Sequence, residues 1–250
     1  MGEGVRDPMS DGETGVAPAA DRGAWLRSLR RVNEEQEDAL AGDFDAQWGE
    51  IEPTHQAFVE RYLSMLPPGG RVLDAACGTG KYFPMVLASG RQLLGVDHAG
   101  ALLAEAATKF PQVPTDQHDL QDLPYQGEFD GVLCVDAMEF VPPEEWPPVL
   151  ERFHQALRSG GWLYLTVELA RQEQVRAANQ AARRSGLPVV EGEVIWEGPD
   201  GYYHHYPSMQ RVRTWLADAG FAVQEEAEEP WHEEGYAYHH VLARLAAPPG

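Results

Sequence analysis

Two aspartates and two glycines carry the most specific chemistry in this 250-residue chain. Asp74 lies in an apolar run, Val72-Leu-Asp-Ala-Ala-Cys77, that leads straight into Gly78-Thr79-Gly80. Glycines placed after a strand and opening a helix let the backbone come close to a ligand. The helix start then presents free N–H groups and partial positive charge. Asp97 closes the next apolar run, QLLGVD, 23 positions after Asp74. A carboxylate about 20 residues beyond such a loop is placed to bind ribose hydroxyls. The dinucleotide fingerprint G-x-G-x-x-G needs a third glycine, and Phe83 stands there. Asp74 would repel a pyrophosphate but suits a cationic ammonium. Lys81 follows Gly80, yet the spacing and the following Ser or Thr of a phosphate-binding P-loop are missing.

Other reactive side chains are more ambiguous. Asp136 and Glu139 follow the apolar run Phe129–Val135, and Glu168 ends Trp162–Glu168. Ligands of α/β sheets bind at such carboxyl ends, so these acids either orient an acceptor and take its proton, or cap turns and face water. His204-His205 and His239-His240 are adjacent pairs, and neighbours on a strand point to opposite faces. One member of each pair can then face a site while the other packs. No His-x-x-x-His and no close Cys/His cluster is present, so no metal centre is expected. Cys77 reads as a small buried thiol beneath the glycine turn rather than a nucleophile. The run Glu225-Glu226-Ala-Glu228-Glu229 reads as a solvated face. The aromatics Trp196, Tyr202, Tyr203, Tyr206, Trp231, Tyr236 and Tyr238 suggest an apolar acceptor pocket.

The elements that must hold these residues alternate. Short apolar runs at 71–75, 92–97, 129–135 and 162–168 read as strands, and helical patterns fall at 81–89, 101–110 and 143–158, with Ser159-Gly160-Gly161 as a turn. A hairpin is expected around Gly198–Gly201, then a helix at 208–219 and strands near 221–225 and 236–244. This order is that of a Rossmann-like, doubly wound α/β sheet. Before it, residues 1–22 read as a flexible leader and 23–68 as a helical cover, with apolar positions at helical spacing in 24–40 and 55–66. Residues 69–246 form the main domain, with a substrate-lid or hairpin insertion at about 170–207.

Composition excludes several partners. With 19 basic and 40 acidic residues, the net charge of −21 repels phosphate backbones and anionic headgroups. No nucleic-acid or membrane partner is therefore expected. Two cysteines cannot build a disulfide scaffold, no apolar run reaches the length of a membrane span, and the start of the chain carries acids where a secretory signal would be apolar. A cytoplasmic location is the expectation.

The ordered runs VLDAACGTGKY, GVDHAGALLAEA, HDLQDLPY, FDGVLCVDAMEF and ALRSGGWLYLTVE, with the closing YHHYPSMQRVRTWLADAGF, resemble the class I S-adenosylmethionine-dependent methyltransferases of the small-molecule branch. The resemblance implies a seven-stranded, mostly parallel sheet with an antiparallel last strand. It implies that Asp74, Ala76, Gly78 and Gly80 line the methionine end of the cofactor, that Asp97 takes the ribose diol with His98 beside the adenosine, and that Asp119 and Leu120 flank the adenine. Cys134 and Val135 would offer backbone to the amino-acid moiety. Phe44-Asp45-x-x-Trp48 is similar to the aromatic segment that closes over the cofactor, which would place Trp48 against it. Relatives often carry a His where Glu139 stands, so that base role does not transfer.

The expected activity is methylation of a small organic acceptor on oxygen or nitrogen, in bacterial secondary metabolism, by a monomer or homodimer releasing S-adenosylhomocysteine. His204, His205, Asp136 and Glu139 are the candidates to position or deprotonate the acceptor. The alternative is an inactive cofactor-binding relative, or one that uses the sulfonium for other chemistry.

Overall fold

The computed structural model describes residues 21–196, 202–229 and 237–246. The leader expected over 1–22 lies outside the described residues except at its end, as do the turn at Gly198–Gly201 and the aromatics Trp231 and Tyr236.

In chain order the elements are α1 (Arg22–Leu40), α2 (Phe44–Trp48), α3 (Pro53–Met65), β1 (Arg71–Ala75), α4 (Phe83–Ala88), β2 (Gln92–Asp97), α5 (Gly100–Lys109), β3 (Thr115–Gln117) and β4 (Phe129–Cys134). There follow α6 (Trp146–Ala156), β5 (Leu157–Leu169), α7 (Gln172–Arg184), β6 (Glu193–Ile195), β7 (Tyr203–His205), α8 (Met209–Asp218), β8 (Phe221–Glu228) and β9 (Ala237–Leu245). Seven strands form one sheet in the order β3-β2-β1-β4-β5-β9-β8, and β6 pairs with β7 as a separate hairpin. Strands β1 to β5 run parallel, and β9 inserts antiparallel between β5 and β8. This is the Rossmann-like, doubly wound sheet that the alternating runs predict.

The central strands are apolar along most of their length because both faces are covered. On one face α6 and α8 pack Trp146, Leu150, Phe153, Val212 and Leu216 against the sheet. On the other, α3, α4 and α5 contribute Val59, Tyr62, Phe83, Val86 and Leu103. Full burial of such a side chain is worth about 1.5–3 kcal/mol. Glycine permits the closest approach: a Cβ on Gly131 of β4 would lie 2.2 Å from the Tyr62 hydroxyl of α3. Helix α3 leads through a tight turn into β1, so its first turn lies at the carboxyl edge of the sheet.

Three local features differ from the sequence reading. Helix α7, inside the segment read as a lid or hairpin insertion, is polar on average, and its buried positions are Val175, Asn179 and Ala182. Ser159-Gly160-Gly161 is a disruption inside a continuous β5 rather than a turn: Gly160 sits at φ +74 and the pairing with β4 shifts between Phe129 and Gly131. The short β3, Thr115–Gln117, is polar and lacks the apolar run that marks the other parallel strands.

Candidate active site

Among the described residues, only two that are not glycine adopt positive φ: Ala76 at 65° and Asp136 at 53°. Ala76 directly follows β1, and Asp136 comes just after the end of β4; between these strands the chain order reverses. That is the topological switch point at which α/β sheets bind ligands. Left-handed backbone at such residues costs of order 1–3 kcal/mol and marks functional sites. Asp136 is held there by a 2.9 Å hydrogen bond from its N–H to the Thr166 hydroxyl.

The β1–β2 side carries Asp74, Asp97 and His98. Asp97 accepts from Gly78 N at 2.8 Å through one oxygen and from Ala99 N at 2.9 Å through the other. Burial, then the charge of Glu37, still push its carboxyl up to about 6. Glu37 of α1 lies 3.1 Å from His98 Nε2. Burial alone would lower His98, but the bond to Glu37 and the nearby acids raise it to about 9. Asp74 is buried with Oδ2 unpartnered; burial and the charge of Asp97 raise it to about 8. Ala76, Asp97, His98, Asp119 and Leu120 line one cavity of about 60 Å³, which Arg30 and Phe140 also line.

The glycine loop is tight. Gly78 (φ +51) and Gly80 (φ +84) adopt left-handed backbone, and a Cβ on Gly80 would lie 2.8 Å from the Phe83 ring. Cys77 packs beneath, its Sγ 2.9 Å from where a Cβ on Gly95 would stand. Above Gly78 the nearest group is the ring of Phe44, 3.5 Å from a Cβ there. Trp48 packs against Phe44, with ring centres 5.1 Å apart, but is 45% exposed and does not line the cavity. The segment is anchored by Asp45, which accepts from the Thr79 hydroxyl and, at 2.6 Å, from Lys109.

On the β4–β5 side charged side chains face one another. Asp136 lies 3.1 Å from His55 Nε2 and 3.6 Å from Lys81 Nζ. Burial would raise its carboxyl, but His55 and Lys81 hold it below the usual range. Glu168, at the end of β5, is buried and raised to about 8 by desolvation and the charge of Asp136, opposed by a hydrogen bond with Tyr206. Glu139 is buried too, and desolvation followed by the charge of Glu168 raises it well above its ordinary value. His204 Nε2 stands 3.4 Å from Glu168, its ring stacked on Tyr206 and against Phe140. Burial lowers it to about 4. His205, on the opposite face of β7, packs against the stacked Trp146 and Trp215 rings in the core and does not join this group. Cys134 and Val135 are buried at the end of β4.

The methyltransferase-domain family matches residues 72–161, from β1 into β5. An uncharacterized methyltransferase of Synechocystis sp. is 32% identical over 150 residues, 60% of this chain and 68% of that protein. The chain belongs to the class I S-adenosylmethionine-dependent methyltransferases. A ubiquinone biosynthesis O-methyltransferase of Xanthomonas axonopodis pv. citri is 26% identical over 193 residues, covering 72% of this enzyme and 75% of that one. A solved S-adenosylmethionine-dependent methyltransferase of Methanosarcina mazei shares the fold at a TM-score of 0.67 and 17% identity, over 80% of this chain and all of that one.

The residues of this methyltransferase fit its cofactor. The unpartnered, buried Asp74 oxygen calls for a cationic group such as the methionine ammonium. Asp97, fixed by two backbone N–H groups, keeps further acceptor capacity for ribose hydroxyls. The cavity that Asp97 lines is also lined by Asp119 and Leu120. What the sequence reading missed are Glu37 and His55, and it took Glu229 for part of a solvated face. None of the three has a local motif; each reaches the edge from a distant element.

Proposed function

We propose that the enzyme methylates an oxygen or nitrogen of a small organic acceptor held at the carboxyl edge of β4 and β5, in the cytoplasm and in bacterial secondary metabolism. The observation that carries this reading is the buried group Glu139, Glu168 and His204 beside Asp136. S-adenosylmethionine, when bound, supplies an electrophilic methyl group that needs no activation by protein. The side chains therefore have to align the acceptor, exclude water and accept its proton.

Glu168 suits the proton best. Burial and the charge of Asp136 raise its proton affinity toward working pH, where a base is most effective. His204 stays unprotonated at neutral pH and orients Glu168 from 3.4 Å. Asp136, held ionised by His55 and Lys81, binds polar groups of the acceptor rather than exchanging protons. Helix α7 and the β6–β7 hairpin serve as the acceptor lid, and α1 to α3 as the cover over the donor. The acidic net charge of −21 speaks for a small neutral or cationic acceptor and against nucleic acid. The name of the Xanthomonas relative favours oxygen as the methylated atom.

Incubating the enzyme with trideuteromethyl-labelled cofactor and a bacterial small-molecule extract, followed by mass spectrometry, tests this. Label is expected on low-molecular-weight products, and Glu168→Gln should lose it while still binding cofactor. Label confined to nucleic acid or protein, or no label at all, would overturn the reading.

A further inference from the structure

Three side chains from distant parts of the chain meet next to Asp136, on the face covered by α3. His55 comes from the first turn of α3, His240 from β9, and Glu229 from just beyond β8, where its N–H is pinned to the Tyr238 carbonyl at 2.7 Å. Both imidazoles are buried, at 2% and 0% exposure. Their rings are fixed: they meet edge to face at 4.7 Å, and Phe58 stacks on His240 at 4.6 Å.

One nitrogen of each ring has a partner behind it. His55 Nε2 lies 3.1 Å from Asp136, and His240 Nδ1 lies 2.9 Å from the Tyr164 hydroxyl. The other two nitrogens, His55 Nδ1 and His240 Nε2, are buried and make no hydrogen bond. Both face the same Glu229 oxygen, at 3.7 and 3.6 Å. Those separations are too long for an N–H···O bond. They are close to the spacing of two ligand atoms around a tetrahedral ion, roughly 3.4 Å for bonds of about 2.1 Å. The three ligand atoms all lie within 4.8 Å of one another.

The hydrogen bonding explains why the site calls for a cation. When His55 donates through Nε2 to Asp136, its Nδ1 turns a lone pair toward the Glu229 carboxylate. His240, donating through Nδ1 to Tyr164, does the same with Nε2. Metal-bound histidines are oriented in this way, by a carboxylate or another acceptor on the far nitrogen. We propose that His55 Nδ1, His240 Nε2 and Glu229 form a binding site for a divalent transition-metal ion of the zinc type, with Asp136 and Tyr164 as positioning residues for the two imidazoles. Two nitrogens and one carboxylate leave the fourth position of a tetrahedral set to water or to an oxygen of a bound molecule. No sequence motif announces such a centre, since the ligands lie 174 and 11 positions apart.

The test uses the full chain, freed of metal with a chelator and titrated with Zn²⁺ by calorimetry and with Co²⁺ by visible absorption. One ion per chain is expected, with the absorption of a nitrogen- and oxygen-ligated tetrahedral Co²⁺. His240→Gln and Glu229→Gln should each abolish the tight binding event, and Tyr164→Phe should weaken it roughly 10- to 100-fold. Circular dichroism and cofactor binding check that each variant is folded. Glu37→Gln, in the separate group with Asp97 and His98, should leave metal binding unchanged. Failure of the folded wild-type chain to bind stoichiometrically overturns the proposal. So does tight binding retained in both Gln variants, or lost in Glu37→Gln. None of these readouts depends on methyl transfer.

Discussion

The carboxyl edge of the sheet is divided between two kinds of polar construction. At β1 and β2 Asp97 is fixed by the backbone N–H groups of Gly78 and Ala99, while Asp74 keeps one buried oxygen without a hydrogen bond. At β4, β5 and β9 the acids meet histidines brought from far away, as His55 reaches Asp136 across 81 positions. The first arrangement is rigid and suits a ligand of fixed shape. The second sets acids against histidines, with Glu139 and Glu168 raised and Asp136 lowered in proton affinity, which suits proton transfer. On the proposed reading the donor meets a carboxylate fixed by backbone at β1 and β2, and the acceptor meets buried side-chain charges at β4 and β5.

That contrast can be broken most severely at the glycine loop. Gly78→Val should abolish cofactor binding by calorimetry, because a β-branched residue at φ +51 is strained by about 1–3 kcal/mol and its side chain fills the space beneath Phe44. Retained affinity would show that the donor does not approach this loop.

A smaller effect sits at Asp74. Its folded value of about 8 lies above its ordinary 3.8, so the folded state holds a proton that the unfolded state has already released. Stability contributed by this group is therefore present below about pH 4 and falls as pH rises toward 8. Asp74→Asn should raise the Tm of the cofactor-free enzyme more at pH 8 than at pH 5, and should weaken cofactor binding. An equal change at both pH values would contradict the raised affinity.

How much of this was legible depends on chain distance. Asp74, Ala76, Asp97, His98, Asp119 and Leu120 fall within one stretch of β-loop-α units, and the structure gathers all but buried Asp74 along one cavity. Their spacing is set by strand and helix lengths, so it can be read along the chain. His55 and Glu229 have no such spacing; only the fold places them beside Asp136 and His240. The helix α7 was hidden because its buried face is made largely of Val175, Asn179 and Ala182. Trp48 resembles a covering aromatic; the ring nearest Gly78 is that of Phe44, and the indole packed beside it is 45% exposed.

Milder still should be the ion pair of His98. Its value of about 9 lies above the ordinary 6.5, so its contribution is complete below about pH 6.5 and lost as pH passes 9. Glu37→Gln should bring the imidazole back toward neutral pH in an NMR titration and weaken cofactor binding modestly. Smallest of all, Trp48→Ala should change stability by no more than about 0.5 kcal/mol and leave cofactor affinity unchanged, as expected for a side chain 45% exposed. A large loss would place the indole over the donor after all.

The division of the edge into donor and acceptor halves is tested most directly by calorimetry of S-adenosylmethionine with two variants side by side. Asp97→Ala should lose binding, because it removes both the ribose acceptor and the anchor of Gly78, whereas Glu168→Gln should bind as the wild type does. Equal affinity in the two variants, or loss only in Glu168→Gln, would contradict this division.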